Sequence, residues 1–548
     1  MKARWWIAFG LLGAGGGCRL IAGYEPLELT PTTATGGQAG TGGGTGNSGG
    51  GGGDAGSTVA IVSLTATPDR VVGARQVTIE WHVENATSCE FDEGLGQAAP
   101  YFGTKSVVPT TTTTYTLTCQ GNGGPAVKNV LVTVLGVTML GGNGFSCARA
   151  QSNTLKCFGG NAAGQLGLGD TDNRGDAAGE MGDALPAVDM GPGHSVFLAA
   201  LGDAHSCAVL DDNSVKCWGA NGRGQLGLGD TDNRGDAVGE MAGALPAVTL
   251  SGSDALALGA EHSCARLLNG TVKCWGANQS GQLGLGDTAD RGGAPAQMQN
   301  LPAVDLGAGL TATAIAAGRA HSCALLNDAT VKCWGANDYG QLGQGDTSNR
   351  GDDPGELGAA LPPIDLGAGL TATAISARGD HTCALLSDQH VRCWGRNTWG
   401  QLGTGDPVDH GSAPGTMGDL LPKVSLGTGR HATAIAVGAG HSCVLTEVNQ
   451  VRCWGLNADG QLGAGDLTNR GIDPATMGDA LNNVDLGAQH TVRAVAAGNS
   501  HTCAVLDDGT VRCWGNNPNG ELGLGDTDDR GVNAGQMGDN LSLVDITP

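Results

Sequence analysis

Six times in this chain a histidine stands two residues before a cysteine, and a second cysteine follows ten residues after the first. The first three sets are His205 with Cys207 and Cys217, His262 with Cys264 and Cys274, and His321 with Cys323 and Cys333. The next three are His381 with Cys383 and Cys393, His441 with Cys443 and Cys453, and His501 with Cys503 and Cys513. Imidazole and thiolate are zinc ligands, but each set offers three where a structural site takes four. A seventh copy of the pattern, Cys147 with Cys157, carries Phe145 in place of the histidine, so the metal set is incomplete there. The spacing fits cross-strand disulfides better. The seven pairs, with Cys89, Cys119 and Cys18, account for all 17 cysteines and leave no free nucleophile.

The ten-residue spacing is that of a hairpin. In the last copy His501–Leu506 and Thr510–Trp514 flank Asp507-Asp508-Gly509. A three-residue loop needs its final residue left-handed, which Gly and Asn reach most easily. The residues there are Asn153, Asn213, Gly270, Ala329, Gln389, Asn449 and Gly509, and five of the seven comply. Counting outward, Val505 opposes Val511 and Cys503 opposes Cys513. Alternation places the cysteines at a non-hydrogen-bonded pair with Cα atoms about 4.5 Å apart, within disulfide reach. The histidines are then half-buried polar groups at contacts between repeats.

Other chemistry is thinner. The segments 170–176 and 230–236 read Asp-Thr-Asp-Asn-Arg-Gly-Asp, superficially a calcium loop. Arg occupies the fifth ligand position and no bidentate Glu stands at the twelfth, so EF-hand binding is unsupported. Arg-Gly-Asp at 174–176, 234–236 and 350–352 is repeat text rather than an adhesion signal. No Ser/His/Asp set, phosphate loop or carboxylate pair stands above the repeats. The chain is expected to be no enzyme and to need no cofactor or metal.

The elements that position these residues follow from composition. With 98 glycines in 548 residues, long helices are excluded and short strands joined by turns are expected, an all-β chain. A net charge of −24 repels phosphate backbones and argues against nucleic-acid partners. Lys2 and Arg4, an apolar run from Trp5 to Ala14 and the small residues before Cys18 describe an export signal over 1–18. This resembles a bacterial lipoprotein signal, with Gly15 where that family prefers Leu. The resemblance implies lipidation of Cys18 and a membrane partner; simple cleavage of the signal is the alternative. Residues 19–57 are expected to be a disordered tether, 13 of the 22 residues at 36–57 being glycine.

Residues 58–135 show β-branched alternation over Val59–Thr67, Gln76–Val83 and Thr114–Cys119. This resembles a bacterial Ig-like sandwich, with Cys89 and Cys119 as its disulfide pair and Trp81 in the core, serving as a spacer. Cys89 follows Trp81 rather than preceding it, which leaves open whether the bridge joins two sheets.

Over 136–548 each hairpin is followed by text such as Trp334-Gly335-Ala336-Asn337-Asp338-Tyr339-Gly340-Gln341-Leu342-Gly343-Gln344-Gly345-Asp346. Phe158 replaces Trp in the first copy and Glu521 replaces Gln in the last. The repeat resembles that of the regulator of chromosome condensation family, which implies a seven-bladed β-propeller. Two further segments per repeat, Leu-Pro-x-Val-Asp-Leu-Gly and Ala-Thr-Ala-Ile-Ala, are expected to give four strands per blade. The tail Leu543–Ile546 is expected to pair into the first blade and close the ring.

Positions that differ between copies point to a partner. Tyr339 is the only tyrosine of the repeat region and Trp399 its only tryptophan outside the motif, at equivalent loop positions of adjacent copies. Lone aromatics on a rigid polar face serve as interface anchors. With Arg396 beside them they form a candidate protein-binding patch. The expected function is therefore a monomeric, exported, membrane-anchored surface protein that binds another protein of unknown identity. The alternatives are an extracellular enzyme inhibitor or nucleotide exchange as in the namesake family. The charge of −22 over 136–548, from 22 basic and 44 acidic residues, opposes the chromatin-linked role.

Overall fold

The computed structural model describes residues 58–546 apart from 68–69, 73–76, 110–112 and 151–152, with two strand pieces, Ala14–Gly15 and Cys18–Arg19. The expected tether and the Cys18 side chain lie outside the described residues. The chain divides into two compact units, Tyr24–Leu135 first and then Gly136–Pro548 together with Met1–Gly23. Among the described residues there is no α-helix, only five short 3-10 turns, and no helix long and apolar enough to cross a membrane.

The first unit holds two sheets. One is three-stranded, Ala60–Thr67, Val77–Glu84 and Phe102–Val107, with Val77–Glu84 central. The other is five-stranded and includes Ala86–Phe91, Thr113–Gly121 and Ala126–Leu135. Alternation in Val77–Glu84 sends Val77, Ile79, Trp81 and Val83 inward. Trp81 is in the core as expected, edge-on to Phe91, its indole N–H donating to Ala99 O at 2.9 Å. Cys89 and Cys119 are bonded, and they face each other across neighbouring strands of one sheet. The bridge therefore staples two strands of that sheet and does not join the two sheets.

The second unit is seven three-stranded antiparallel sheets, one per repeat. In the fourth these are Ala312–Ala317, His321–Leu326 and Val331–Gly335. Every residue of the two hairpin strands there is buried, because each sheet is covered on both faces by its neighbours. Continuous runs of Ala, Cys, Ser, Val and Leu are what two-sided burial requires.

Every cysteine of these sheets is in a disulfide across its own hairpin. Cys147 is bonded to Cys157, Cys207 to Cys217, Cys264 to Cys274 and Cys323 to Cys333. Cys383 is bonded to Cys393, Cys443 to Cys453 and Cys503 to Cys513. Their Cα atoms lie 4.0–4.1 Å apart, somewhat closer than the spacing expected of a flat pair. The register is the expected one, Val505 facing Val511 and Cys503 facing Cys513. All seven loop-closing residues are left-handed, including Ala329 at φ 63° and Gln389 at φ 65°. Their carbonyls explain why: Ala329 O accepts from Ala372 N of the next sheet (3.2 Å) and Gln389 O from Ala432 N (3.0 Å).

Two expectations are corrected. The Leu-Pro-x-Val-Asp segment is not a fourth strand. It makes one ladder bond to its own hairpin, as from Ile364 N to Val331 O, and then turns away. Its aspartate carbonyl next accepts from a loop glycine of the following repeat, as Asp305 O does from Gly358 N. The tail follows the same rule and does not pair as a strand of the first sheet. Val544 N bonds Val511 O of the seventh hairpin, and Asp545 O then accepts from Gly182 N of the first repeat.

Candidate protein-binding site

The repeat motif holds loops in place. Asn337 shows how: its side-chain oxygen accepts from Leu342 N, and its amide donates to Asp346 O (2.8 Å). Arg350 closes the loop on Asp346 at 2.6 Å, while the other Asp346 oxygen accepts from Ser348 N. The same Asp–Arg pair recurs at 170/174, 230/234, 287/291, 466/470 and 526/530. The first carboxylate of each calcium-like loop, and the arginines of the Arg-Gly-Asp triplets, are thus spent on each other.

The histidines serve the ring. Each donates from Nε2 to a hydroxyl of the next sheet, since that hydroxyl itself donates to a backbone carbonyl. His321 meets Thr382 at 2.8 Å, and Thr382 bonds Gln341 O. The chain of bonds runs round to His501, which meets Ser146 of the first sheet at 2.8 Å. Complete burial holds the rings neutral, at a pKa of about 4 for His262 and about 3 for His205, His321, His381, His441 and His501. With the cysteines bonded to each other, no His-x-Cys zinc set exists in these hairpins.

Two groups the sequence did not flag bring a histidine to two carboxylates, His194 with Asp211 and Asp212, and His490 with Asp507 and Asp508. In the sixth copy Arg430 takes the corresponding place and pairs with Glu447 at 3.1 Å. A nitrogen-bearing side chain set opposite the acidic hairpin tip is what these places share.

The three candidate binding residues do meet. Arg396 lies with its guanidinium carbon 4.8 Å from the centre of the Tyr339 ring and 4.8 Å from that of Trp399. Its charge is answered by Asp380 at 3.4 Å. The two aromatic positions match because each backbone N–H is capped by the glutamine two residues on, Tyr339 by Gln341 and Trp399 by Gln401. Trp399 continues the row onto the next copy, where a Cβ at Gly440 would stand 3.0 Å from its ring. All three side chains are half-buried. The loops of the fifth and sixth copies also carry exposed apolar side chains, Val408 (55% exposed), Leu467 (54%) and Ile472 (39%). Ile472 abuts Gly400, next to Trp399.

One residue was missed. Three positions before the ring-building histidine, or its Phe145 counterpart, stands Gly142, Gly202, Gly259, Gly318, Gly438 or Gly498, but in the fifth copy it is Arg378. Arg378 is buried, and its guanidinium group donates to Asn499 Oδ1 (2.5 Å), Gly141 O (2.9 Å) and Gly202 O (3.5 Å). Residues of the first, second, fifth and seventh copies meet at this one group. The break in the glycine column was the available signal.

The repeat text matches models described as the regulator of chromosome condensation (RCC1) repeat, at 198–225 and from 254 through 521. The chain belongs to this family. RCC1-repeat relatives include the ultraviolet-B receptor UVR8 of Arabidopsis thaliana, 29% identical over 395 residues, covering 71% of this chain and 79% of the receptor. The probable E3 ubiquitin-protein ligase HERC6 of Homo sapiens is 31% identical over 309 residues, covering 56% of this chain but only 28% of HERC6. Among solved structures, Prp20p of Saccharomyces cerevisiae, described with its binding properties to Gsp1p and histones, superposes with a TM-score of 0.54. It is 22% identical over 69% of this chain and 84% of that one. Human WBSCR16 gives a TM-score of 0.53 at 19% identity, over 71% and 92% of the two chains. The second unit therefore has the propeller fold of RCC1 proteins, in which activities such as ubiquitin ligation belong to parts of the relatives that this chain does not span.

Proposed function

We propose that this chain is an exported protein-binding scaffold. Lipid on Cys18 tethers it to a membrane, residues 19–57 are a flexible leash, and an Ig-like sandwich at 58–135 is a spacer. The seven sheets act as the blades of a seven-bladed propeller, and its fourth to sixth blades hold the partner. The observation that carries this reading is the clamped row Tyr339–Arg396–Trp399. Rings fixed in place by a guanidinium lose little side-chain entropy on binding, which is the property of an anchor. Apolar Ile472, whose backbone abuts Gly400 next to Trp399, supplies area to bury, and the surrounding charge of −22 disfavours an acidic partner. Relatives that are regulators and binding proteins, and not themselves catalysts through this fold, agree with a scaffold.

The test is crosslinking through a photoreactive residue at 339 or 399 on intact cells, followed by the double variant Tyr339→Ala with Trp399→Ala. Captured partner should fall at least tenfold while the thermal midpoint moves by only a few degrees. A double variant that melts early yet keeps its partner would show the row to be packing between blades and nothing more.

A further inference from the structure

The seven junctions between neighbouring sheets are not equal. At six of them a buried tryptophan donates its indole N–H to a backbone carbonyl of the preceding copy, as Trp334 does to Gln282 O at 3.1 Å. At the junction of the seventh and first sheets the tryptophan is Phe158, which has no donor to give. Glu521 O receives the Ser146 hydroxyl there, at 2.9 Å. The same junction carries the second exception. Six copies place a neutral glutamine at Gln165, Gln225, Gln282, Gln341, Gln401 or Gln461, and this one places Glu521.

Glu521 is completely buried. One carboxyl oxygen accepts from Asn519 N at 2.7 Å, as each glutamine does in its own loop, but the other has no partner. The charged and titratable groups around it offer no cation. Asp529, of its own copy, is an anion that disfavours a second negative charge. Arg530 is committed to Asp526 at 2.6 Å. His501, bonded to Ser146, is held neutral by burial. From the first copy, the backbone of Asp176 packs on Gly520. A protonated Glu521 copies the shape and polarity of glutamine, whereas an ionised one is a buried, unpaired charge.

We infer that the junction of the seventh and first sheets is a pH-dependent gate of the ring, closed when Glu521 is protonated and loosened when its proton passes to solvent. Burial raises the Glu521 pKa from 4.5 to about 7, which places the transition between mildly acidic and neutral solution. A group that holds its proton more tightly in the closed state stabilises that state fully below pH 4.5 and loses its contribution as pH rises to 7. The opening equilibrium should rise by up to about 300-fold from well below pH 4.5 to well above pH 7, from the difference of about 2.5 between the two values. This inference does not depend on the binding row, which lies on other copies.

Hydrogen exchange of the full oxidised chain at about pH 4.5, 6 and 7.5, corrected for intrinsic rates, tests it. Peptides covering 138–149 and 516–524 should lose protection with rising pH in the native chain. In Glu521→Gln they should not, and peptides at the junction of the third and fourth sheets should behave alike in both. An unchanged pH profile in Glu521→Gln, or equal loss at every junction of the native chain, would overturn the gate.

Discussion

Replacing Ala329 and Gln389 by glycine is expected to stabilise the ring. Both close three-residue hairpin loops in the left-handed region, at φ 63° and 65°. A residue with a Cβ loses about 1–2 kcal/mol in that conformation. Glycine adopts it freely but has a more disordered unfolded state, which returns roughly 0.5–1 kcal/mol. The net gain is therefore about 0.5–1 kcal/mol at each site. Neither loop can relax to avoid the cost, because each carbonyl is committed to the next sheet, Ala329 O to Ala372 N and Gln389 O to Ala432 N. The two sites share no partner among these bonds, so the gains should add to about 1–2 kcal/mol in the double variant. Urea unfolding followed by tryptophan fluorescence, with disulfides kept oxidised, should show a higher midpoint at unchanged slope. Asn449→Gly is the control, since asparagine tolerates the left-handed region and the change there should be near neutral. If Ala329→Gly were no more stabilising than Asn449→Gly, the reasoning from backbone strain would be refuted.

Acid sensitivity should follow the histidines. Their folded pKa values of about 3 to 4 lie below the ordinary 6.5, so their contribution is full above about pH 6.5 and drains as pH falls towards 3. His321→Phe, which copies Phe145, should cost about 1 kcal/mol at neutral pH for one lost bond. It should also flatten the acid limb by up to about 1.4 kcal/mol per pH unit, read from unfolding midpoints at about pH 7 and 4.5. Gly318→Ala should destabilise by about 1–3 kcal/mol through overpacking, since its Cβ would overlap the His321 ring. In the fifth copy Arg378 occupies that place beside Gly379, which is left-handed at φ 54°. Adding Arg319→Gly should accordingly recover part of the loss in calorimetry.

Much of this protein is written locally. The ten-residue spacing of the cysteines fixes the hairpin register, the disulfides and the left-handed loop position, because a two-stranded turn is decided by residues within a few positions of each other. Even Ala329 and Gln389, which break the Gly/Asn preference, obey the count. The candidate row was legible too, as Tyr339 and Trp399 stand at matching places in an otherwise regular text, with Arg396 nearby. Tertiary structure alone decided the rest. Whether Leu-Pro-x-Val-Asp becomes a strand depends on where the next repeat's loop sits to take its carbonyl, and the tail obeys the same constraint. Arg378 finds Gly141 and Gly202 only because stacking two-sided sheets bends the chain into a ring. Glu521 differs from six glutamines by one atom type, and its consequence exists only once the first repeat packs on its loop, where Ser146 bonds Glu521 O. Sequence determined each repeat, since its contacts are short-range; the ring determined what the exceptions do, since their partners lie in other repeats.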